Sequence, residues 1–309
     1  MSRNHSYDCV IIGGGHNGLV TAAYLAKAGK SVCVLERRHV LGGCAVTEEL
    51  WPGFRVSTAA YVISLFLPEI MRELRLKQYG LQILPRDPSS FTPMLDGRSL
   101  LLGPDMVESQ REIAKFSRED AESYPHYNAF LERVAKQLEP VLNKAAPDPL
   151  PLTDAFRRIG MSKRLADTGK LLELYNAVVS LGDDIPMAIE LLTGAARPFL
   201  EHWFESEVLK ATLATDGVIG AFSSISSPGT AYVLLHHVMG EAGGARGVWG
   251  YVQGGMGGLA DALERACDDL RVDIRRESPV SSILTNQGRT YGVALEGGGI
   301  IEAPVVASS

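Results

Sequence analysis

Two periods of apolar and polar positions alternate along the chain. Residues 7–12 (YDCVII) form a short run of β-forming residues, the pattern of a strand buried in a parallel sheet. The run leads into Gly13-Gly14-Gly15-His16-Asn17-Gly18. A helical pattern rich in Ala and Leu covers 19–27, with Gly29 placed as its C-terminal cap. Residues 31–35 (SVCVL) then predict a second buried strand, which ends in Glu36. Helical spacing returns over 105–146, where Tyr124, Tyr127, Phe130, Leu131, Val134 and Leu138 mark the apolar face and Pro104-Asp105 the start. Residues 147–151 (PDPLP) punctuate the chain, and further helical segments fall between 163 and 214. Residues 254–258 (GGMGG) open one more helical run, 259–270. Strands are predicted at 272–274 and 280–284, a hairpin at 291–295 and 300–302, and a last core strand at 304–309.

The first three elements make a βαβ unit whose parts each have a physical task. Gly13 permits a tight turn out of the strand, Gly15 lets backbone approach a pyrophosphate, and Gly18 lets the helix pack closely on the strand. The free N–H groups and positive end of that helix favour phosphate. Glu36, at the end of the second strand, is placed to accept from ribose hydroxyls and disfavours a 2′-phosphate. Gly13, Gly14, Gly15, His16, Asn17, Gly18 and Glu36 are therefore the candidate dinucleotide site. A purely structural glycine turn would leave Glu36 without a role. The GGMGG segment is a poor second site, because residues 249–253 do not read as a buried strand and no acid comes after it at the right place.

With 309 residues, a formal charge of −6 and 46% hydrophobic residues, the chain is long enough for two folded domains and lacks the basic excess of a nucleic-acid binder. No apolar run is long enough to span a bilayer, although weak membrane association stays open. Cys9, Cys33, Cys44 and Cys267 form no CxxC pair, which argues against a disulfide scaffold or a cysteine-rich metal site. A dithiol reductase needs a resolving cysteine close to Cys44, and the next is Cys267. Neither a signal peptide nor an arginine-rich presequence is evident, so the expected location is cytoplasmic.

The residues after the acid decide between FAD and NAD. The segment Glu36-Arg37-Arg38-His39-Val40-Leu41-Gly42-Gly43 resembles that of the flavin-dependent amine oxidases and carotenoid desaturases. The runs HNGLV at 16–20, LGGCAVTEE at 41–49, LKATLATDGVI at 209–219 and GVWGYVQGGMGGL at 247–259 resemble the phytoene desaturase-related branch. That resemblance implies FAD, with Arg38, Gly42 and Gly43 as contacts and Val280 meeting the adenine through its backbone. Cys44 stands where the family usually has arginine, which leaves one contact without its residue. The implied fold is α/β: a Rossmann-type FAD-binding domain in two parts, 1–100 and 240–309, with a largely helical substrate domain, 101–239, inserted. Family chains continue well beyond the point matching Ser309, so the expectation is a chain cut short at its carboxyl end. For a eukaryotic source the relatives suggest the mitochondrial matrix.

No residue stands out as a catalytic acid or base, which a flavin enzyme does not require. His236-His237 point to different sides of any regular element, so shared metal ligation is disfavoured; a structural role for both is favoured, with a substrate-pocket role for one as the alternative. His16 reads as a neighbour of the cofactor, residues 57–61 as pocket lining, and Trp203, Phe204, Trp249 and Tyr251 as core. The reading favoured is an FAD-dependent oxidoreductase acting on a hydrophobic, polyene or isoprenoid-like small molecule. The alternative is a flavin-binding or flavin-free regulatory protein that acts through a protein partner.

Overall fold

A computed structural model describes residues 6–142, 144–148, 161–242 and 245–309. These form two compact units. One is drawn from Met1–Arg86, Glu241–Gly244 and Trp249–Ser309, the other from Asp87–Gly240 and Ala245–Val248.

The first unit opens with β1 (Cys9–Ile12), α1 (His16–Lys27) and β2 (Val32–Leu35), in the order the pattern predicts. The hairpin β3 (Thr47–Trp51) and β4 (Phe54–Ser57), the short helix α2 (Pro68–Glu73) and β5 (Ile83–Pro85) come next. The second unit contains the hairpin β6 (Ser90–Pro93) and β7 (Ser99–Leu102). Its helices are α3 (Met106–Ile113), α4 (Arg118–Leu142), α5 (Met161–Val179), α6 (Ile185–Thr193), α7 (Ala196–Trp203), α8 (Glu207–Ala214) and α9 (Thr230–Val238). After them lie two dipeptide strands, β8 (Glu241–Ala242) and β9 (Ala245–Arg246). The first unit, which also takes β8, continues with β10 (Gly250–Val252), α10 (Gly257–Asp269), β11 (Asp273–Arg275), β12 (Val280–Asn286), β13 (Arg289–Leu295), β14 (Ile300–Glu302) and β15 (Val305–Ser308).

The first unit is built on a parallel sheet in the order β11-β2-β1-β15. Its two central strands are apolar at every position because both faces are covered. Cys9, Ile11, Val32 and Val34 face one core, shared with Leu19, Ala22 and Ala23 of α1 and with Leu259, Leu263 and Ala266 of α10. Val10, Cys33 and Leu35 face the other, under Val293, Ile301 and Ala303 of the antiparallel sheet β12-β13-β14. The last strand forms where expected: β15 pairs with β1, Val306 and Ala307 pack partly buried against the two cores, and Val305 is 54% exposed. Residues 249–253 do contribute a strand, but β10 pairs antiparallel with β5 outside the main sheet.

In the second unit the apolar stripe expected over 105–146 belongs to two helices. Asp105 caps α3, its carboxylate accepting the N–H of Val107 at 2.8 Å and of Glu108 at 3.1 Å. The stripe is broken at Ser117, whose hydroxyl accepts the Asp120 N–H at 3.0 Å and starts α4. Pro125 inside α4 has no N–H for the Ala121 carbonyl, and Gln110 of α3 donates to that carbonyl instead at 2.8 Å. Tyr127 packs edge-on against Phe204 at 5.1 Å and Trp203 at 5.7 Å, so these aromatics are core. Of the PDPLP stretch, residues 149–151 lie outside the described residues. Among the described residues no helix is long and apolar enough to cross a membrane.

Candidate functional site

The turn after β1 is held from several directions. Gly13 has φ +105°, and its N–H donates to the Leu35 carbonyl at 2.9 Å. A Cβ on Gly18 would lie 2.2 Å from the Gly13 carbonyl oxygen, so α1 sits directly on the turn. A Cβ on Gly14 would lie 2.5 Å from Leu41 Cδ2. Gly15 differs: the nearest atom to a Cβ there is Gly43 Cα at 3.8 Å, ordinary contact. Gly15 is the N-cap of α1, yet no side chain caps the helix and no acid lies in its first turn. That end of α1 is thus open to an anion.

Glu36 is 6% exposed, and its carboxylate is already engaged. One oxygen accepts the Gly14 N–H at 2.7 Å and the other the Arg38 N–H at 2.8 Å. A carboxylate has about four acceptor sites on its two oxygens, so capacity for ribose hydroxyls remains. The second glycine pair folds back on the first. Gly42, at φ +115°, donates its N–H to the Gly14 carbonyl at 2.9 Å, and a Cβ on Gly43 would stand 3.2 Å from Gly15 Cα.

These residues border a cleft of about 490 Å³. Gly13, Gly15, His16, Asn17, Glu36, Gly43 and Val280 line it. Gly14, Gly18, Arg38 and Gly42 do not, and act from behind the lining. The Arg38 guanidinium pairs with Glu48 at 2.6 Å, holding that carboxyl below the usual carboxylate range. Cys44, which stands where the resemblance places an arginine contact, lines the cleft too, as do Arg37, Pro279 and Glu296, which the sequence did not single out. Arg37 and Pro279 adjoin predicted contacts, whereas Glu296 donates its N–H to the Pro279 carbonyl at 2.9 Å. Burial holds the His16 imidazole below the ordinary histidine value, so it is neutral at pH 7.

A second, apolar pocket of about 380 Å³ shares His16, Asn17 and Cys44 with the cleft, and Val20, Ile63, Phe66 and Met256 also line it. Within residues 57–61, only Ala60 lines that pocket, whereas Tyr61 is 55% exposed. Ser57 and Thr47 are used elsewhere. The Ser57 hydroxyl accepts the Met256 N–H at 3.0 Å and the Thr47 hydroxyl the Gly257 N–H at 2.8 Å, which closes the amino end of α10. A Cβ on Gly255 would lie 2.4 Å from Thr47 Oγ1. Gly255 and Gly257 therefore admit Thr47 of the β3–β4 hairpin, while Met256 between them lines the apolar pocket.

His237 is buried, with Nδ1 2.8 Å from the Asp216 carbonyl, and His236 stacks on Tyr232 at 5.9 Å. Among the described residues no group of His, Cys, Asp and Glu is placed to hold a metal. Cys44 is exposed, while Cys9, Cys33 and Cys267 are buried. Burial pushes the Cys33 and Cys267 thiols up to about 12, which leaves them inert.

Parallel sheet, uncapped helix and glycine turn define a Rossmann-type dinucleotide-binding protein, and residues 11–75 match the family model described as an NAD(P)-binding Rossmann-like domain. The chain is similar to the proteins called pyridine nucleotide-disulfide oxidoreductase domain-containing protein 2. It is 47% identical over 310 residues to the mouse (Mus musculus) protein, covering 98% of this chain and 53% of that protein. It is 26% identical over 311 residues to a phytoene desaturase of Cercospora nicotianae, covering 97% of this chain and 44% of that one. The resemblance to phytoene desaturase-related proteins is thereby borne out. The chain spans about half the length of the curated relatives it matches. Among solved structures, a Rab GDI from Plasmodium falciparum aligns with TM-score 0.59 and 14% identity over 99% of this chain and 66% of its own. Putrescine oxidase bound to putrescine aligns with TM-score 0.57 and 17% identity over 97% and 57%. Those two likenesses show the fold, an α/β architecture shared by amine oxidases and GDI.

Proposed function

We propose that this chain binds FAD through its first unit and serves an oxidoreductase that acts on a hydrophobic small molecule. The observation that carries the reading is the combination of an uncapped α1 end with a glycine, Gly15, that the protein's own packing does not require. The N–H groups of the first turn of α1 would hold the pyrophosphate, Glu36 the ribose, and the backbone at Val280 the adenine. Gly13 and Gly43 would keep the cleft walls free of side chains. Gly14, Gly18, Gly42 and Arg38 would fix those walls from behind. FAD, when bound, supplies the electron acceptor.

FAD is favoured over NAD by the second glycine pair lying against the first, the feature on which the desaturase resemblance rests. The apolar pocket that shares His16, Asn17 and Cys44 with the cleft supports a hydrophobic substrate, with a polyene or isoprenoid as the class the relatives suggest. The helical second unit is proposed as the substrate domain. No dithiol step is proposed, because the only exposed cysteine has no exposed partner among the described residues.

A regulatory reading is the alternative, since the same fold is found in a Rab GDI and a fold does not fix function. Anaerobic mixing of flavin-loaded protein with isoprenoid alcohols, polyenes and amines separates these readings. Loss of the visible flavin bands with an isoprenoid or polyene supports the oxidoreductase proposed. Bleaching by amines alone overturns the substrate class, and a folded chain that takes up no flavin favours the regulatory reading.

A further inference from the structure

A cavity of about 890 Å³ lies in the first unit and shares no lining residue with the dinucleotide cleft. Met71, Leu81, Ile83 and Leu84 give it an apolar floor. Arg72, Arg75 and Lys77 line it as well, and no acidic residue does. On a chain of formal charge −6, this lining carries three cations and no acid. Arg72 meets Glu69 only at 3.8 Å, with both side chains largely exposed. Arg75 and Lys77 enter no ion pair among the described residues.

Arg75 stands in an unfavourable backbone conformation. It lies just past the end of α2 with φ +54°, in a turn closed by Leu76 N–H to the Met71 carbonyl at 3.0 Å and Arg75 N–H to the Arg72 carbonyl at 3.2 Å. Glycine or asparagine usually occupies that position, since other side chains crowd the backbone there. The fold thus carries an arginine where glycine would be more stable, and its guanidinium borders an apolar cavity. Strain of this kind collects at binding sites.

We infer that this cavity binds a single-chain amphiphile with one anionic head, a long-chain acyl carboxylate or phosphate. The head would meet Arg72, Arg75 and Lys77, and the tail would cover Met71, Leu81, Ile83 and Leu84. The volume falls in the range of small-molecule pockets, consistent with a single-chain ligand. The site is separate from the dinucleotide cleft and stands whether or not FAD binds there.

The test is calorimetric titration of the full chain with oleate below its micelle concentration. Dodecyltrimethylammonium serves as a cationic probe, and vesicles containing phosphatidylglycerol as the bilayer arm. Saturable one-to-one binding of oleate, weakening with salt, with no binding of the cationic probe, is expected. Arg75→Gly is expected to melt at the same or a higher temperature yet bind oleate roughly fivefold more weakly, the upper range for one exposed charge contact. Arg75→Gly combined with Lys77→Glu is expected to weaken binding further, and Leu84→Asp to weaken it without unfolding, since Leu84 is 51% exposed. Equal binding of both probes, binding to vesicles alone, or unchanged affinity in the folded variants would overturn the assignment.

Discussion

The carboxylate of Glu36 accepts the backbone N–H of Gly14 at 2.7 Å. The acid that ends β2 thus fixes the glycine turn after β1, besides facing the cleft. Removing it should therefore disturb the protein before any ligand is added. We expect Glu36→Ala to lose about 3 kcal/mol of stability, since two buried N–H groups lose a charged acceptor. Glu36→Gln, which keeps one acceptor, should lose about half as much. Urea denaturation of the two variants without nucleotide checks the order, and equal stability in all three proteins would contradict it.

Gly15 and Gly18 should separate ligand binding from folding. A Cβ at Gly18 meets the Gly13 carbonyl oxygen at 2.2 Å, so Gly18→Ala should lose ~3 kcal/mol or fail to fold. A Cβ at Gly15 meets only Gly43 Cα at 3.8 Å, so Gly15→Ala should melt like the wild type. Gly15→Val should also fold and lose FAD affinity, because its branched side chain would fill the approach to α1. Thermal melting beside flavin content gives both readings. A Gly15→Val protein that is folded and binds FAD normally would mean the phosphates lie elsewhere.

Thr47 and Ser57 cap α10 across a long sequence separation. Thr47→Val keeps the shape and removes the acceptor, and should lose about 1 kcal/mol of stability. Dinucleotide affinity should stay within about twofold, since the phosphates are assigned to α1 and not to α10. A large fall in affinity with unchanged stability would restore GGMGG as a nucleotide site.

His16 gives a pH dependence of known sign. Burial lowers its folded pKa, so below its unfolded value near 6.5 the unfolded chain takes up a proton that the folded chain resists. Its contribution is intact above that pH and is lost as pH falls toward the folded value. Between about pH 7 and about pH 5.5, His16→Gln should lose less stability than the wild type does. Parallel slopes in the two proteins would show that His16 plays no part. His236, also lowered by burial, is common to both and cancels in the comparison.

The βαβ unit was legible because strands buried on both faces read as unbroken apolar runs, and because the turn between them tolerates few residues besides glycine. The second task of Glu36 was not, since its partner is a backbone N–H that any residue supplies. GGMGG showed that something approaches closely without showing what, and Thr47 comes from the far end of the chain. The break at Ser117 was hidden by apolar spacing that continues through Ile113 and Phe116. Arg38 was expected at the cofactor, and its ion pair with Glu48 depends on a hairpin the local sequence does not announce.

The most direct test of the central claim is the absorbance spectrum of the purified chain, with titration by FAD and, separately, by NAD⁺. We predict flavin bands approaching one equivalent per chain, taken up by the wild type and not by Gly15→Val. A folded, monodisperse chain that binds NAD⁺ and no FAD would contradict the claim.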